Sequence, residues 1–465
     1  MIYLDKSINK PLYEQLYEAI KQAIIEGELS KNKTLSSVRV MVKDLQVSRN
    51  TVERAYQQLL VEGYIRSVPG AGYYVQDIAN DYLNKFSIEH KKTLEEEVKK
   101  KVTLKYDFEY ASIDSELFPW DKWRKYVQNA ILEEANHKEI AYEINKGNLL
   151  LRKNLCQYLK AYRGVNCTPE QIIICAGTQF GMEILTHILP HTKYNLAFEE
   201  PGFDGMRDLF LNRGYSITPI PVLGDGIDLV ALNNAECNLL YITPSHQFPT
   251  GVVTSISKRN KLLRWAYSND AYIIENDYES EFRYGTKPVP SLQSLDQYDK
   301  VIYVGTLSKV LSPSIRCAYI VLPEQLLDAY DMGYGHFYSA LPTYNQVALA
   351  RFIEDGLLEK HVRKVVLLNE RKYKVLKKAV KELLEKKVKI CKQPAGVHTL
   401  VNIYGDKSQE EVIEEMRKAS VGIYGTKQYW YDKTSAPENL FLLGFNSMSE
   451  SQIISGCKRM QEVLK

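Results

Sequence analysis

The first 75 residues carry apolar positions at helical spacing, followed by a pattern typical of a hairpin. In residues 12–24 the apolar side chains recur three and four positions apart and Gly27 follows, which predicts a first helix. A second helix can begin after the capping residues Ser36 and Ser37, and a third after Ser48. Three helices are therefore expected ahead of the hairpin.

The predicted third helix has one apolar face and one polar face. Its inner face is expected to hold Val52, Ala55 and Leu59. The same spacing turns polar and basic side chains outward, namely Arg49, Asn50, Arg54 and Gln57. A helix-turn-helix needs this arrangement, because donors near the start of its second helix reach base edges while nearby basic residues reach phosphates.

A two-stranded hairpin is expected to complete this part of the chain. Residues 63–66 and 70–75 are two short runs with a glycine-rich tip between them. Beside three helices, such a hairpin predicts the wing of a winged helix-turn-helix. A small helical docking domain with a solvated charged face is the alternative that the pattern leaves open.

After Tyr106 the chain alternates helical patterns with short β-branched runs. This alternation predicts an α/β domain with a mostly parallel sheet covered by helices. Ligands in such sheets bind beyond the carboxyl ends of the strands, so the polar residues that follow each run are candidates for a site. The four predicted strands are residues 171–174, 238–242, 271–274 and 301–304.

The net charge of the whole chain says little about its partners, whereas the charge of residues 31–75 is informative. Over 465 residues, 60 Lys and Arg face 57 Asp and Glu, a net charge of +3 that does not by itself announce a nucleic-acid-binding protein. Over residues 31–75, however, seven basic residues face three acidic ones, where contact with DNA would occur. The residues expected to contact DNA are Arg39, Arg49, Asn50, Thr51, Arg54, Gly72 and Tyr73.

Cysteine usage and hydropathy indicate an ordinary cytoplasmic protein. The seven cysteines are scattered and include no CxxC pair, which disfavours a disulfide framework and a zinc site, and no metal is expected. Residues 1–10 lack the apolar core of a signal peptide, and no apolar run reaches the roughly 18 residues that span a bilayer. We expect a soluble, intracellular chain that does not enter a membrane.

Residues that follow the predicted strands suit pyridoxal 5'-phosphate. Lys309, once desolvated and neutral, can form a Schiff base with an aldehyde cofactor, although an isolated lysine after a strand is usually a surface charge. Arg316 offers a guanidinium for a phosphate, and the amides that follow Gly177 offer an anion cradle with Thr178. Gln179 and Ser308 are neighbouring candidates for cofactor binding.

Other candidates suit the ring of that cofactor. Phe203 could stack on it, although a single phenylalanine is more often part of a core. Tyr278 and either His246 or Gln247 could donate to the ring oxygen. Each of these residues is common on its own, but the combination is specific to a site for this cofactor.

The first 75 residues resemble the GntR-type winged helix-turn-helix. The resemblance rests on Leu35-Ser36-Ser37-Val38-Arg39, on Ser48-Arg49-Asn50-Thr51-Val52 and on Gly70-Ala71-Gly72. Members of that family usually have Pro where this chain has Ser36, a difference that affects helix capping more than DNA chemistry.

Nearly the whole chain resembles the MocR/GabR family, which fuses a GntR-type reader to a fold-type I aminotransferase-like domain. The motifs that carry the likeness are residues 244–251, 275–284, 305–309 and 313–316. The resemblance implies that Lys309 is the Schiff-base lysine, Tyr278 the partner of the ring oxygen and Arg316 a phosphate ligand. It also implies a head-to-tail homodimer that binds a double-stranded operator with two half-sites.

One departure from the family motif concerns the pyridine nitrogen of the cofactor. The family has Asp two positions before the tyrosine, and this chain has Asn276 there. Residues two apart on a strand point the same way, which sets Asn276 rather than Asp277 on the face of Tyr278, although both remain candidates for cofactor binding. A neutral amide cannot keep the pyridine nitrogen protonated as a carboxylate does, so weak or absent transaminase turnover is expected.

A second departure concerns the anchor for a substrate carboxylate. Related aminotransferases place an arginine just before a strand that aligns with residues 439–445, and this chain offers apolar side chains there. Arg207 could bind the effector instead, although an arginine in Gly205-Met206-Arg207 is at least as often a surface residue. The effector could be a small amine, an amino acid, a dipeptide or pyridoxal phosphate itself.

The sequence predicts a winged helix-turn-helix over residues 1–78, a charged linker over 79–105 and an aminotransferase-like domain over 106–465. The leading hypothesis is a ligand-responsive transcriptional regulator that controls amino-acid, amine or vitamin B6 metabolism. The first alternative is an active aminotransferase whose N-terminal domain only docks or dimerises. A second alternative keeps the fold and discards the cofactor.

Overall fold

The computed structural model of the protein divides into two compact units, residues 1–103 and 104–465. It describes residues 4–5, 10–77, 104–136, 138–139, 141–285, 289–391 and 395–465. The predicted linker over 79–105 lies outside the described residues except for its last two positions.

The first unit contains the three predicted helices and the predicted hairpin. Ser37 and Ser48 accept hydrogen bonds from the backbone amides of Val40 and Thr51, so two of the three predicted caps are made by the side chains that the sequence indicated. The elements are α1 (Leu12–Ile25), α2 (Val38–Leu45), α3 (Arg49–Val61), β1 (Ile65–Val68) and β2 (Gly72–Val75), with the two strands antiparallel.

A small core holds this unit together. Val52, Ala55, Tyr56 and Leu59 on α3 are fully buried against α1 and the hairpin, which confirms the predicted inner face. Gln46 between α2 and α3 adopts a left-handed conformation, the kind of single residue that turns a chain sharply between two helices. The outer face of α3 stays exposed.

The second unit contains a large and a small sheet. The large sheet has the order β4-β11-β10-β9-β8-β5-β6-β7 and the small one the order β12-β13-β16-β15, while β3 pairs with β14. The strands are β3 (Tyr106–Asp107), β4 (Ile172–Cys175), β5 (Leu196–Glu200), β6 (Ile217–Leu223), β7 (Gly226–Ile227), β8 (Leu239–Ile242), β9 (Tyr272–Asn276), β10 (Val301–Thr306), β11 (Ala318–Val321), β12 (Val388–Ile390), β13 (His398–Ile403), β14 (Val421–Gly422), β15 (Tyr424–Gly425) and β16 (Leu440–Gly444).

Helices cover both sheets. They are α4 (Trp120–Ala135), α5 (Leu149–Arg163), α6 (Thr178–Ile188), α7 (Asp204–Asn212), α8 (Leu229–Asn234), α9 (Ile256–Ser268), α10 (Leu327–Tyr334), α11 (Thr343–Glu354), α12 (Leu357–Leu384), α13 (Gln409–Lys418) and α14 (Glu450–Val463). Separate apolar clusters fill the spaces on the two sides of the large sheet.

The direction of the strands fixes where a site can form. Strands β10, β9, β8, β5 and β6 are mutually parallel, while β11 is antiparallel to both β10 and β4. The predicted strands β4, β8, β9 and β10 therefore all run the same way, and their carboxyl ends meet at one edge. This confirms the mostly parallel sheet that the alternating pattern predicted.

Within the described part of the chain, no helix combines the length and the apolar character needed to cross a membrane. No three His, Cys, Asp or Glu side chains among those residues converge closely enough to hold a metal ion. All seven cysteines are free thiols.

Candidate functional site

A cavity of about 310 Å³ lies beyond the carboxyl ends of the large sheet's strands. Its wall is formed by segments that follow β4, β8, β9 and β10, together with residues from the segments after β3 and β5. Eight of the eleven residues predicted to bind the cofactor line it: Thr178, Gln179, Phe203, Asn276, Tyr278, Ser308, Lys309 and Arg316.

One end of the cavity is suited to an anion. Gly177 caps the N-terminus of α6 with φ 99° and ψ 160°, a conformation essentially confined to glycine. A Cβ at this position would lie 2.2 Å from Nη2 of Arg316, so the guanidinium occupies the space that the missing side chain leaves. The positive end of a helix, the Thr178 hydroxyl and a guanidinium therefore meet at one point.

Lys309 lies at the cavity wall directly after β10. Its Nζ donates to the backbone oxygen of Tyr110 over 3.0 Å and lies 4.7 Å from the centre of that ring. Burial lowers the pKa of Lys309, and the charges of Glu279 and Glu109 oppose this shift. A lysine that gives up its proton more readily than usual is suited to condense with an aldehyde.

Asn276 and Tyr278 face the cavity together, as strand alternation predicted. Nδ2 of Asn276 donates to the hydroxyl of Tyr241 over 2.7 Å, and its Oδ1 has no hydrogen-bond partner among the described residues. The hydroxyl of Tyr278 is likewise buried and without such a partner. Burial raises the pKa of Tyr278 well above its ordinary value, so its oxygen keeps a proton to donate.

Asp277, predicted as a cofactor-binding residue, points away from the cavity. Its carboxylate pairs with the guanidinium of Arg163 at 2.7 and 3.0 Å and accepts from the hydroxyl of Tyr303 at 2.6 Å. Burial opposes ionisation of Asp277, but Arg163 outweighs it and holds the pKa below the usual value. The prediction for Asp277 is wrong, because the alternation that turns Asn276 and Tyr278 inward turns Asp277 to the other side.

His246 and Gln247, predicted as donors to the ring oxygen, do not line the cavity. The amide of Gln247 is used inside the protein, since Nε2 donates to the backbone oxygens of Pro201 and Phe248 over 2.7 and 2.5 Å. His246 is 2% exposed and lies beneath the cavity wall beside Glu279. Of the proposed donors, Tyr278 is the one at the cavity.

Arg207, the predicted effector-binding residue, is neither a surface residue nor part of the cavity lining. It lies on α7 with 7% exposure, and Nη2 donates to the backbone oxygen of Gln428 over 2.9 Å. Nε lies 3.4 Å from the carboxylate of Asp208. Its main contact therefore joins α7 to the segment that precedes residue 430.

Sequence reasoning missed five residues that shape the site. Glu279 follows Tyr278 directly, and its Oε1 lies 3.9 Å from Nζ of Lys309. Its place in the motif of residues 275–284 was a signal that could have found it. The others are Tyr110, Tyr241, Thr243 and Phe248, which line the cavity from segments far apart in the chain.

The predicted DNA-contact residues are exposed or half-buried in the first unit. Arg39, Arg49, Asn50 and Arg54 are exposed, Thr51 and Gly72 are half-buried, and Arg49 pairs with Glu53 on the same helix at 2.8 Å. The ring of Tyr73 instead packs edge-on against the buried Tyr56, 4.9 Å between centres. Tyr73 is thus half-buried, and its ring packs against the core of the unit.

Comparison with known proteins finds the same two parts. Residues 12–75 match the family described as bacterial regulatory proteins, gntR family, and residues 90–436 match aminotransferase class I and II. The chain is 35% identical over 463 residues to the uncharacterized HTH-type transcriptional regulator YdeL of Bacillus subtilis, covering 100% of this chain and 99% of that protein. It is 32% identical to the probable rhizopine catabolism regulatory protein MocR of Rhizobium meliloti, covering 89% of this chain and 86% of MocR.

The fold of the second unit is that of solved aminotransferases. The structure of Pyrococcus horikoshii kynurenine aminotransferase in complex with PMP aligns with a TM-score of 0.70 and 20% identity, covering 83% of this chain and 98% of that one. The predicted fold class is thus confirmed. The chain belongs to the MocR family of transcriptional regulators, in which a gntR-family helix-turn-helix domain precedes a class I and II aminotransferase domain.

Proposed function

We propose that this regulator binds pyridoxal 5'-phosphate covalently at Lys309 and senses a small molecule in the same cavity, which changes how it binds DNA. The observation that carries the proposal is the convergence of a lysine, an anion-binding helix start and two unpartnered polar atoms in one cavity. A binding site of this kind in a chain that also carries a DNA reader is suited to sensing.

The residues of the cavity fit pyridoxal phosphate group by group. Arg316, Thr178 and the start of α6 would hold the phosphate, and the hydroxyl of Tyr278 would donate to the ring oxygen. Phe203 would cover the ring, since it lines the cavity and packs edge-on against Phe248 at 5.5 Å. When bound, the cofactor supplies a carbonyl carbon with which primary amines condense.

The amide of Asn276 supports a role of this site in sensing rather than in transamination. A protonated pyridine nitrogen needs an acceptor, and Oδ1 of Asn276 is an unpartnered acceptor at the cavity. As a neutral amide, it stabilises that proton much less than a carboxylate would. We therefore expect weak or absent turnover, while binding is retained.

Exposed aromatic residues on the second unit support a homodimer. Tyr142 and Tyr338 are 78% and 63% exposed and stack on each other with ring centres 4.4 Å apart. Phe337 and Met332 nearby in sequence are also exposed. Exposed aromatic and apolar side chains of this kind are typical of a surface that a second subunit covers. A head-to-tail dimer in the cytoplasm would present two copies of α3 to a duplex operator with two half-sites.

The effector in this proposal is a small amine, an amino acid, a dipeptide or pyridoxal phosphate itself. Control of amino-acid, amine or vitamin B6 metabolism would follow from any of them. Arg207 does not line the cavity, and it remains a proposed contact for an effector carboxylate because its Nη1 is buried and has no hydrogen-bond partner among the described residues.

A visible-absorbance titration tests the cofactor. Protein stripped of small molecules is titrated with pyridoxal phosphate, and Lys309→Ala is the control. We expect saturable visible absorbance in the parent and none in the variant, together with a covalent adduct on the Lys309 peptide after borohydride reduction. An adduct absent from that peptide would overturn the assignment. Tight saturation indicates a resident cofactor, whereas weak reversible saturation makes the cofactor the signal.

A duplex-selection experiment tests DNA binding and the alternative of an enzyme with a docking domain. The full-length protein selects sites from a randomised duplex pool, and affinities are compared for the parent, Arg49→Ala and the control Arg264→Ala. Arg264 is an exposed arginine on α9 of the second unit. We expect nanomolar binding to two spaced half-sites, weakened by about 1–3 kcal/mol in Arg49→Ala alone. No selected sequence, combined with rapid transamination, would favour the enzyme.

A further inference from the structure

A buried cluster of ionisable groups lies beneath Lys309, outside the roles assigned above. The side chain of Glu279 is fully buried, and its Oε1 lies 3.9 Å from Nζ of Lys309. Its Oε2 lies 3.8 Å from Nδ1 of His246 and 3.6 Å from Nδ1 of His398. The same oxygen accepts a hydrogen bond from the backbone amide of Val397 over 3.2 Å.

The backbone around this cluster is shaped to hold it. Glu279 has φ 56°, a left-handed conformation that a side chain other than glycine adopts only where its surroundings fix it. Gly396 has φ 75°, and a Cβ there would lie 2.3 Å from Cε1 of His246 and 2.9 Å from Oε2 of Glu279. The left-handed Glu279 and the close approach of His246 to Gly396 thus bring the carboxylate, the imidazole and the backbone together.

Five polar atoms of the cluster have no hydrogen-bond partner among the described residues. They are Oε1 of Glu279 and both ring nitrogens of His246 and of His398. Buried polar atoms are nearly always paired, so a group of unpaired ones calls for a functional reason. Here the unpaired carboxylate oxygen is the one that faces the lysine.

We propose that Glu279 is the counter-ion of Lys309 and that it controls when the lysine gives up its proton. The inference rests on the proposed function, because the free amine of Lys309 matters only if the lysine captures an aldehyde. Glu279 acts through Lys309 and is a positioning residue.

The charges of the cluster agree with this role. Burial opposes ionisation of Glu279, but the interactions with His398 and Lys309 outweigh it and lower the pKa of Glu279 to about 2. Burial lowers the pKa of His246 to about 3, with a further contribution from His398, so His246 is neutral and adds no competing positive charge. Glu279 is thus an anion across the physiological range.

Further ionisable groups face Lys309 and Glu279 from the neighbouring elements. Glu109 and Tyr110 approach from the segment after β3, Tyr278 and Glu281 from the segment after β9, and Arg283 faces His246. Glu109 is the other carboxylate whose charge acts on Lys309. A test must therefore distinguish the effect of Glu279 on Lys309 from the effects of the remaining carboxylates.

The proton balance gives the direction of the effect. Lys309 must release one proton to solvent before its lone pair can attack a carbonyl carbon. An anion at 3.9 Å stabilises the ammonium form, so the carboxylate raises the pH at which half of the lysine is free amine. At an effective dielectric constant of about 20, a unit charge at this distance shifts that midpoint by up to about three pH units, and by less where solvent screens it.

Competitive labelling of the cofactor-free full-length protein with acetic anhydride tests the proposal. The acetylation rate of the Lys309 peptide is followed by mass spectrometry from pH 6 to 11 in the parent, Glu279→Gln, Glu279→Asp and the control Glu281→Gln. Glu281 is a half-buried carboxylate of the same segment. The readout requires neither bound cofactor nor DNA, so its result is independent of whether pyridoxal phosphate binds.

We expect the midpoint to fall by about one to three pH units in Glu279→Gln, which corresponds to at least about 10-fold faster labelling on the acidic side. Glu279→Asp should lie between the parent and Glu279→Gln, and Glu281→Gln should keep the parent midpoint. A folded Glu279→Gln with the parent midpoint would overturn the proposal, as would an equal shift in Glu281→Gln. If Glu279→Gln does not fold, Glu279→Asp decides, because a midpoint unchanged from the parent then refutes the role.

Discussion

Replacing Gly177 by alanine tests whether the anion end of the cavity is built as the structure indicates. The substitution adds one methyl group at φ 99° and ψ 160°, where its carbon would lie 2.2 Å from Nη2 and 2.7 Å from Cζ of Arg316. These atoms are the far end of a flexible side chain, so Arg316 is expected to swing away while α6 stays in place.

Two separate costs follow from this geometry. The backbone conformation is essentially glycine-only, which costs about 1–3 kcal/mol of stability when alanine adopts it. The displaced guanidinium removes a hydrogen bond to a charged group, worth about 1.5–3 kcal/mol. Since 1.4 kcal/mol is about tenfold in an equilibrium constant, the Gly177→Ala variant should bind pyridoxal phosphate about 10- to 100-fold more weakly.

The assay compares pyridoxal phosphate with pyridoxal, which lacks the phosphate. The parent should prefer the phosphorylated form, and Gly177→Ala should lose most of that preference while its affinity for pyridoxal changes little. Gly333→Ala on α10 is the control, since a Cβ there meets no atom within 4 Å. A Gly177→Ala protein that keeps the parent preference would refute the assignment of this end of the cavity to a phosphate.

Three further predictions concern other parts of the chain. Asn276→Asp should speed the first half-reaction with an amino acid at least about 10-fold, because a charge-assisted hydrogen bond then holds the ring proton; an unchanged single-turnover rate would contradict the role of this position. Arg163→Ala leaves the buried carboxylate of Asp277 without its charged partner, so denaturant unfolding should show a loss of about 3–5 kcal/mol in the free energy of unfolding, and a loss under 1 kcal/mol would count against the pair. Hydrogen bonds, of which the one from Gln58 contributes most, lower the pKa of Glu62 from 4.5 to about 2. The ionised carboxylate therefore stabilises the folded state fully above pH 4.5, and this contribution is lost as the pH falls toward 2. The protection of the α3 amides, taken relative to the intrinsic exchange rate at each pH, should therefore fall over that range in the parent and less in Glu62→Gln; an equal loss of protection would refute the assignment.

The first unit was predictable from sequence because its signals are local. Helix spacing, the serine caps and the glycine-rich hairpin each lie within a few residues of the feature that they determine. Tyr73 shows where such reasoning stops. Its position in the wing suggested contact with DNA, but its ring packs on Tyr56, seventeen positions earlier in the chain, and pattern alone does not reveal that contact.

The cavity residues that directly follow a predicted strand could be predicted from the sequence. The residues that reach the cavity from distant segments could not. The parallel sheet brings Gly177, Asn276 and Lys309 to one edge, as the chain order of the strands implied. Tyr110 contacts Lys309 although the two lie nearly 200 positions apart in the chain, and no local sequence pattern predicts this contact. His246 and Gln247 were wrong predictions because their motif turns inward after β8 and its polar atoms serve the protein itself.

Asn276 and Glu279 together suggest how an enzyme fold can serve as a sensor. Catalysis by transamination needs a strong electron sink, and with pyridoxal phosphate bound as proposed, the neutral amide of Asn276 at the pyridine nitrogen would weaken it. Capture of a carbonyl compound needs only a lysine that can lose its proton, and the carboxylate at 3.9 Å is placed to tune that step. A site that captures ligands but converts them slowly keeps its effector bound long enough to shift a conformational equilibrium, which is what a regulator requires.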